Sequence, residues 1–244
     1  MPFEDARRML TLDAISSAAR KALPRPAFRA LRIVGSVVLA PLRFSILQGH
    51  ALSALRQKAV DRHGAPLPWY SYPAIAFLRN RRFEGRKVLE FGAGNSTLWW
   101  RARASHVVSL DADAAWLRYV KENEHASGSG EVHLVHKDLH DIPSSAVARK
   151  FDVIVIDGLT RQHAAVLAPD MLEPEGAIIL DNSDLEWGNA PGEYFIIELM
   201  NRLGFFRVDF FGFGPGNVRE QCTSVFFRDG CFLFRSADPP RVEP

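Results

Sequence analysis

Val88-Leu89-Glu90-Phe91-Gly92-Ala93-Gly94-Asn95-Ser96-Thr97 reads as a buried strand, a glycine turn and the start of a helix. Glycine at 92 and 94 permits tight dihedrals and lets backbone approach a ligand with no Cβ in the way. Asn95 or Ser96 can cap the helix that follows. A Gly-x-Gly turn alone is weak evidence, because many such turns only join a strand to a helix. Here it is followed, about twenty residues on, by Asp111 at the end of a second strand, where an α/β fold presents an acid to ribose hydroxyls. A dinucleotide fingerprint would want a third glycine three positions after the second, and Thr97 stands there. The acid ahead of the glycines, Glu90, suits a positively charged ligand better than a pyrophosphate.

Working outward, short apolar runs alternate with helical stretches: Lys87 to Phe91, His106 to Asp111, Glu131 to His136, Phe151 to Asp157 and Ala177 to Asp181. Alternation of this kind marks βαβ units, and so a parallel sheet with helices on both faces. The aromatic-rich runs Phe205 to Phe213 and Thr223 to Phe227 have only a loop between them, too short for a crossover helix. They should pair antiparallel, which inserts one reversed strand at an edge of a seven-stranded, mostly parallel sheet. A helix over Trp69 to Arg82 should precede this domain, after a turn at Ala65 to Pro68.

The 244 residues suffice for one such domain, expected over residues 65–244, with an N-terminal helical appendage over 1–64. Apolar content of 47% and charged content of 24% are globular values. The net charge of +2 is unevenly spread: residues 1–60 hold ten Lys/Arg against three Asp/Glu, leaving twenty against twenty-five for the rest. Between Phe28 and Leu47 lies an apolar stretch whose uncharged part, Ile33 to Leu42, is ten residues, short of a bilayer span. Flanked by Arg29, Arg32 and Arg43, it reads either as helices packed on the domain or as peripheral contact of residues 28–47 with an anionic membrane surface. The two cysteines, Cys222 and Cys231, flank the turn signal Asp229-Gly230, and a hairpin there would pair Cys231 with Arg228 rather than with Cys222. Neither a disulfide framework nor a four-ligand zinc set is indicated, and a reducing cytoplasmic setting is expected.

From about Trp69 to Phe234 the chain resembles the class I methyltransferase family, with its Rossmann-like sheet. The likeness rests on Val88 to Gly94, on Val107-Val108-Ser109-Leu110-Asp111, and on Phe151-Asp152-Val153-Ile154-Val155-Ile156-Asp157-Gly158. It implies S-adenosyl-L-methionine as cofactor, with Gly92, Ala93, Gly94, Asn95 and Ser96 forming the loop around it and the glycines lining its methionine part. It also implies Asp111 on the ribose, and Glu90 holding the amino end or ordering the loop. Asp138, in His136-Lys137-Asp138-Leu139, would face the adenine amino group, or else be a solvated acid at a strand end.

The fourth and fifth strands end in Asp157 and in Asp181-Asn182, hard oxygen ligands that could converge on Mg²⁺. The arrangement resembles catechol-type O-methyltransferases, in which such a trio holds a metal and a substrate hydroxyl. The lysine base expected after the first acid is missing: Gly158, Leu159, Thr160 and Arg161 stand there, and arginine is no base. His163 is the nearest titratable substitute, unless it faces solvent. Bacterial methyltransferases with Asp-Gly after the fourth strand and Asp-Asn-Ser-Asp after the fifth are closer still in pattern.

The expectation is O-methylation of a small-molecule or glycan-like acceptor, with Asp157 and His163 in catalysis and Mg²⁺ at Asp157, Asp181 and Asn182. A membrane-peripheral module that binds a nucleotide-like ligand without turnover is a second reading. Nucleic-acid methylation is disfavoured, because Asp157-Gly158-Leu159-Thr160 stands where amino-methylating DNA enzymes carry an Asn/Asp-Pro-Pro-aromatic motif. Trp99, Trp100, Trp116 and Trp187 read as core, whereas Trp69, Tyr70 and Tyr72 are placed to form a lid.

Overall fold

A computed structural model describes residues 17–123, 129–158, 161–185 and 195–235. Seven strands form one sheet: β1 Lys87–Phe91, β2 His106–Asp111, β3 Ser129–Leu134, β4 Phe151–Ile156, β5 Leu172–Leu180, β6 Phe206–Phe213 and β7 Glu220–Phe227. Their order is β3-β2-β1-β4-β5-β7-β6, and β7 alone runs against its neighbours. This is the expected mostly parallel α/β sheet. β3 begins two residues earlier than its apolar pattern suggested, and β5 begins at Leu172, ahead of a register shift in its pairing with β4.

Side chains alternate across the central strands, so each strand feeds two cores. Leu89, Phe91, Ile154, Ile156, Ile178 and Leu180 face one side, against Ala164, Ala168 and Met171 of one helix and Ile196 and Met200 of another. Val88, Val107, Val153, Val155 and Ile179 face the other, against Ile75, Leu78, Trp99 and Trp100. A strand buried on both faces explains the unbroken apolar run Val153 to Ile156.

The helices are α1 Arg25–Leu47, α2 His50–Arg56, α3 Tyr72–Arg79, α4 Asn95–Arg101, α5 Ala114–Glu122, α6 Ser144–Val147, α7 Arg161–Met171 and α8 Phe195–Arg202. α3 is shorter than the expected helix because Ser71 caps it, its hydroxyl accepting from the Ala74 amide. The compact unit that carries the sheet begins at Gly49, so α2 and the bridge between Val60 and Pro66 belong with it.

Described by itself, α1 is one continuous helix with a π-helical turn at Gly35–Leu39, and none of its residues is buried. Its 23 residues reach about 35 Å, against the ~30 Å of a bilayer's hydrocarbon. It is long and apolar enough to cross a membrane because the helix runs on through its arginines, whereas the uncharged stretch alone is short. The turn at Asp229-Gly230 forms, with the Cys231 amide donating to the Arg228 carbonyl at 3.2 Å. No hairpin follows within the described residues: the chain enters a 3-10 turn at Phe232–Phe234, and β7 pairs with β5 and β6 instead. Both cysteines are buried free thiols.

Candidate active site

Strand order reverses between β1 and β4, and the chain diverges there in opposite directions, opening a cleft at the carboxyl ends of the strands. The glycine loop crosses this cleft. Gly92 has φ +128°, and a Cβ there would come within 3.3 Å of the Asp157 backbone, so only glycine lets the β1 and β4 ends lie this close. Gly94 is extended and needs no glycine for its dihedrals. What it provides is room, since a Cβ there would point at the Trp116 ring, 3.7 Å away.

A chain of hydrogen bonds ties the loop to a buried acid. The Gly94 amide donates to Thr97 Oγ1 at 3.1 Å, and Thr97 Oγ1 donates in turn to Glu90 Oε2 at 2.5 Å. Ser109 Oγ donates to the same oxygen at 3.0 Å. Glu90 is wholly buried, and burial pushes its carboxyl up to about 7, with the Ser96, Thr97 and Ser109 hydroxyls limiting the rise. Its second oxygen, Oε1, lacks a well-aligned partner. Glu90 therefore lies under the loop and is tied to it through Thr97 and to β2 through Ser109.

Asp111 grips the loop from β2. One carboxylate oxygen accepts the Ala93 amide and the other the Asp113 amide, each at 2.8 Å, and burial raises its carboxyl above the ordinary value. The helix cap differs from expectation. Asn95 and Ser96 do not cap α4, whose N-cap is Gly94. Asn95 is used elsewhere: its amide donates to the Ala59 carbonyl at 2.7 Å, and its carbonyl accepts from Tyr119 at 2.6 Å. It thus pins the segment after α2, and α5, to the loop.

Two adjoining cavities share Gly92, Asp111, Asp157 and Gly158 as walls. The larger, about 490 Å³, lies between the glycine loop and Lys58, Leu67, Trp69, Trp116 and Tyr119. The smaller, about 250 Å³, runs past Leu110 to Ala114 and is closed by Lys137. Glycine-made room, an acid beside it and an aromatic wall fit a cationic nucleoside with an amino-acid tail. Asp111 lines both cavities, and Glu90 lies buried beneath the loop and lines neither.

Asp138 is not among the lining residues. It is exposed, His140 and His136 both hydrogen-bond its Oδ1, the latter at 2.8 Å, and these contacts hold its carboxyl well below the usual range. The neighbouring Lys137 points into the cavity instead. Several lining residues went unread in the sequence. The helical spacing of Trp116 predicts a core position, yet the residue is 40% exposed. Trp116 and Tyr119 sit one helical turn apart on α5, and that spacing just after Asp111 was the available signal. Of the three lid aromatics only Trp69 lines the cavity, held by its indole N–H donating to the Pro215 carbonyl at 2.9 Å. Tyr70 and Tyr72 are buried, as are Trp99 and Trp100, while Trp187 lies outside the described residues.

At the ends of β4 and β5 the expected oxygen trio does come together, around a guanidinium. Arg161 donates from Nη2 to Asp157 Oδ1 at 2.8 Å and to Asn182 Oδ1 at 3.3 Å, from Nη1 to the Asp181 carbonyl at 2.7 Å, and from Nε to the Gly158 carbonyl at 2.9 Å. The Asp181 side chain turns inward to accept from Thr223 Oγ1 at 2.8 Å, and burial beside the Asp157 charge pushes its carboxyl up. A divalent cation would have to share this space with a fixed positive charge and a carboxyl driven toward its neutral form. The trio does not fit Mg²⁺ in this arrangement. His163 is exposed on α7 and lines neither cavity.

Sheet order and site together define an enzyme that holds a positively charged nucleoside cofactor at the switch point of a doubly wound sheet. The family model described as a methyltransferase domain matches residues 82–222, more than half of the chain, and the chain belongs to that family as a class I S-adenosylmethionine-dependent methyltransferase. Among solved structures it is similar to a precorrin-6y C5,15-methyltransferase from Geobacter metallireducens GS-15, with 11% identity, 64% of this chain and 87% of that one covered, and a TM-score of 0.51. It is also similar to the N-methyltransferase NodS from Bradyrhizobium japonicum WM9, with 14% identity, coverage of 62% and 89%, and a TM-score of 0.45. A TehB-like SAM-dependent methyltransferase from Corynebacterium glutamicum gives 18% identity, coverage of 66% and 89%, and a TM-score of 0.44. At these identities the likeness is one of fold. No curated protein matches the chain in sequence.

Proposed function

We propose that the protein transfers the methyl group of S-adenosylmethionine to a hydroxyl of a small-molecule or glycan-like acceptor, and does so without a metal. The observation that carries this reading is the larger cavity, which has the glycine loop on one side, Trp69, Leu67 and Lys58 on the other, and Asp157 at its border. The cofactor supplies an electrophilic methyl on a sulfonium. Transfer needs in-line alignment and exclusion of water more than strong base. Trp69 and Trp116 cover apolar surface around the acceptor. Asp157, oriented by Arg161, would accept the hydrogen bond of the acceptor hydroxyl and take its proton, while the glycine loop and Asp111 would hold the S-adenosylmethionine that supplies the methyl group. Asp157→Asn should lower kcat about 100-fold while leaving affinity for S-adenosylhomocysteine nearly unchanged. Equal loss in both would make Asp157 a cofactor ligand only.

A second proposal concerns place. The exposed, apolar helix α1, with Arg25, Arg29 and Arg32 within two turns at one end, supports attachment to the cytoplasmic face of an anionic membrane. The full chain should float with anionic liposomes, and a chain lacking residues 1–48 should not. Equal flotation would remove the role of α1.

A further inference from the structure

The turn after β3 gathers His136, Asp138 and His140, whose ligating atoms all lie within 4.8 Å of one another. His136 Nδ1 is 2.8 Å from Asp138 Oδ1, and His140 Nδ1 converges on that same oxygen. The two imidazole rings stand 4.7 Å apart. The backbone is shaped for this convergence. Leu139 sits at φ +60°, a left-handed conformation that a leucine rarely adopts, and its side chain is buried, so His140 is folded back over His136. The turn is closed by the Leu139 amide on the His136 carbonyl at 2.9 Å and by the His136 amide on Asp141 Oδ1 at 2.7 Å. All three candidate ligands are half or more exposed, so an ion from solvent can reach them.

We propose that His136, Asp138 and His140 form a binding site for a divalent transition-metal ion of the Zn²⁺ type, separate from the methyl-transfer cleft. Two imidazole nitrogens and one carboxylate oxygen are a common donor set for such ions, with water completing the shell. Metal–ligand bonds of about 2.0–2.2 Å place neighbouring donors roughly 3–3.5 Å apart, so the three atoms need only spread slightly around an ion. Imidazole donors favour Zn²⁺, Ni²⁺ or Cu²⁺ over Mg²⁺. An ion at this place would satisfy both histidines and the carboxylate at once, where a single oxygen now receives two rings. Lys137, between two of the ligands, closes the smaller cavity, so the site lies beside the cofactor seat rather than in it.

Zn²⁺ titration of the full chain, produced without a polyhistidine tag and followed by calorimetry, should show one tight site per chain. His136→Ala/His140→Ala should weaken it about 100-fold and Asp138→Asn about 10-fold, with thermal melting in the absence of metal unchanged because the side chains are exposed. Co²⁺ bound to the wild type should give visible absorption bands that the double variant lacks. The proposal is overturned if the wild type binds no Zn²⁺, or if the double variant binds it as tightly as the wild type.

Discussion

The two halves of the cleft use the same residue type to opposite ends. At β1 and β2, among the described residues, Glu90 and Asp111 accept hydrogen bonds only from hydroxyls and backbone amides, and open space lies beside the loop they hold. At β4 and β5, Asp157, Asn182 and the Asp181 carbonyl surround Arg161. An acid at a strand end is thus not in itself a ligand site. What decides is whether the fold already supplies the counter-charge, and here one half is left for an incoming cation while the other is closed by its own arginine.

The comparison breaks first at Gly94. Gly94→Arg should cost at least about 1,000-fold in affinity for S-adenosylhomocysteine, because the long side chain fills the seat under Trp116, whereas Gly94→Ala, whose methyl takes up only part of that room, should cost far less. Calorimetry on both variants checks this, and retained binding by the arginine variant would move the pocket elsewhere.

The next effect is on stability and pH. Unfolded, Glu90 ionises near 4.5; folded, it holds its proton to about 7. Between those values the unfolded chain has released a proton that the folded chain still carries, so stability contributed by this group is full below pH 4.5 and is lost as pH rises through 7. The loss amounts to about 3 kcal/mol at most. Glu90→Gln, which keeps an oxygen for the hydroxyl donors, should remove this slope. Urea melts of the two proteins from pH 4 to pH 8, compared by difference so that Asp181 cancels, would show about that divergence; parallel curves would mean that Glu90 is ionised in the folded chain.

Trp116→Ala should weaken the same ligand about tenfold, the loss of one aromatic wall, with little change in melting temperature because the ring is 40% exposed. Smallest of all is the expected response to Mg²⁺. Turnover by the wild type should be flat from zero to millimolar Mg²⁺, since Arg161 stands among the oxygens that would bind it. A rise in kcat with Mg²⁺ would show that the guanidinium leaves, and the contrast between the halves would fall.

The strand pattern, the glycine turn and Asp111 were legible in the sequence because each follows from local periodicity or from a residue type tied to its neighbours. The seven strands fall within a few residues of where apolar runs placed them, and β7 is the one reversed strand. Trp116 and Tyr119 were not legible as cavity wall, because an aromatic at helical spacing looks the same whether its helix turns it to core or to cleft. In the sequence Arg161 is marked only by its inability to act as a base. Asp157 lies only four residues before it, but Asn182 and the Asp181 carbonyl at the end of β5 meet it only after the sheet has formed. The same holds for Asp138, which sequence likeness aimed at the cofactor and the turn aims at two histidines.

By itself the sequence determined which residues are strand, turn and helix, and therefore that an acid and two glycines would stand at the switch point, since backbone preference and hydrophobic period act over a few neighbours. Only the tertiary structure decided which acids keep a place for a ligand's charge and which are neutralised from within. That choice depends on distances of about 3 Å, several of them between groups on different elements, such as Arg161 with Asp181 and Asn182, which no local pattern encodes.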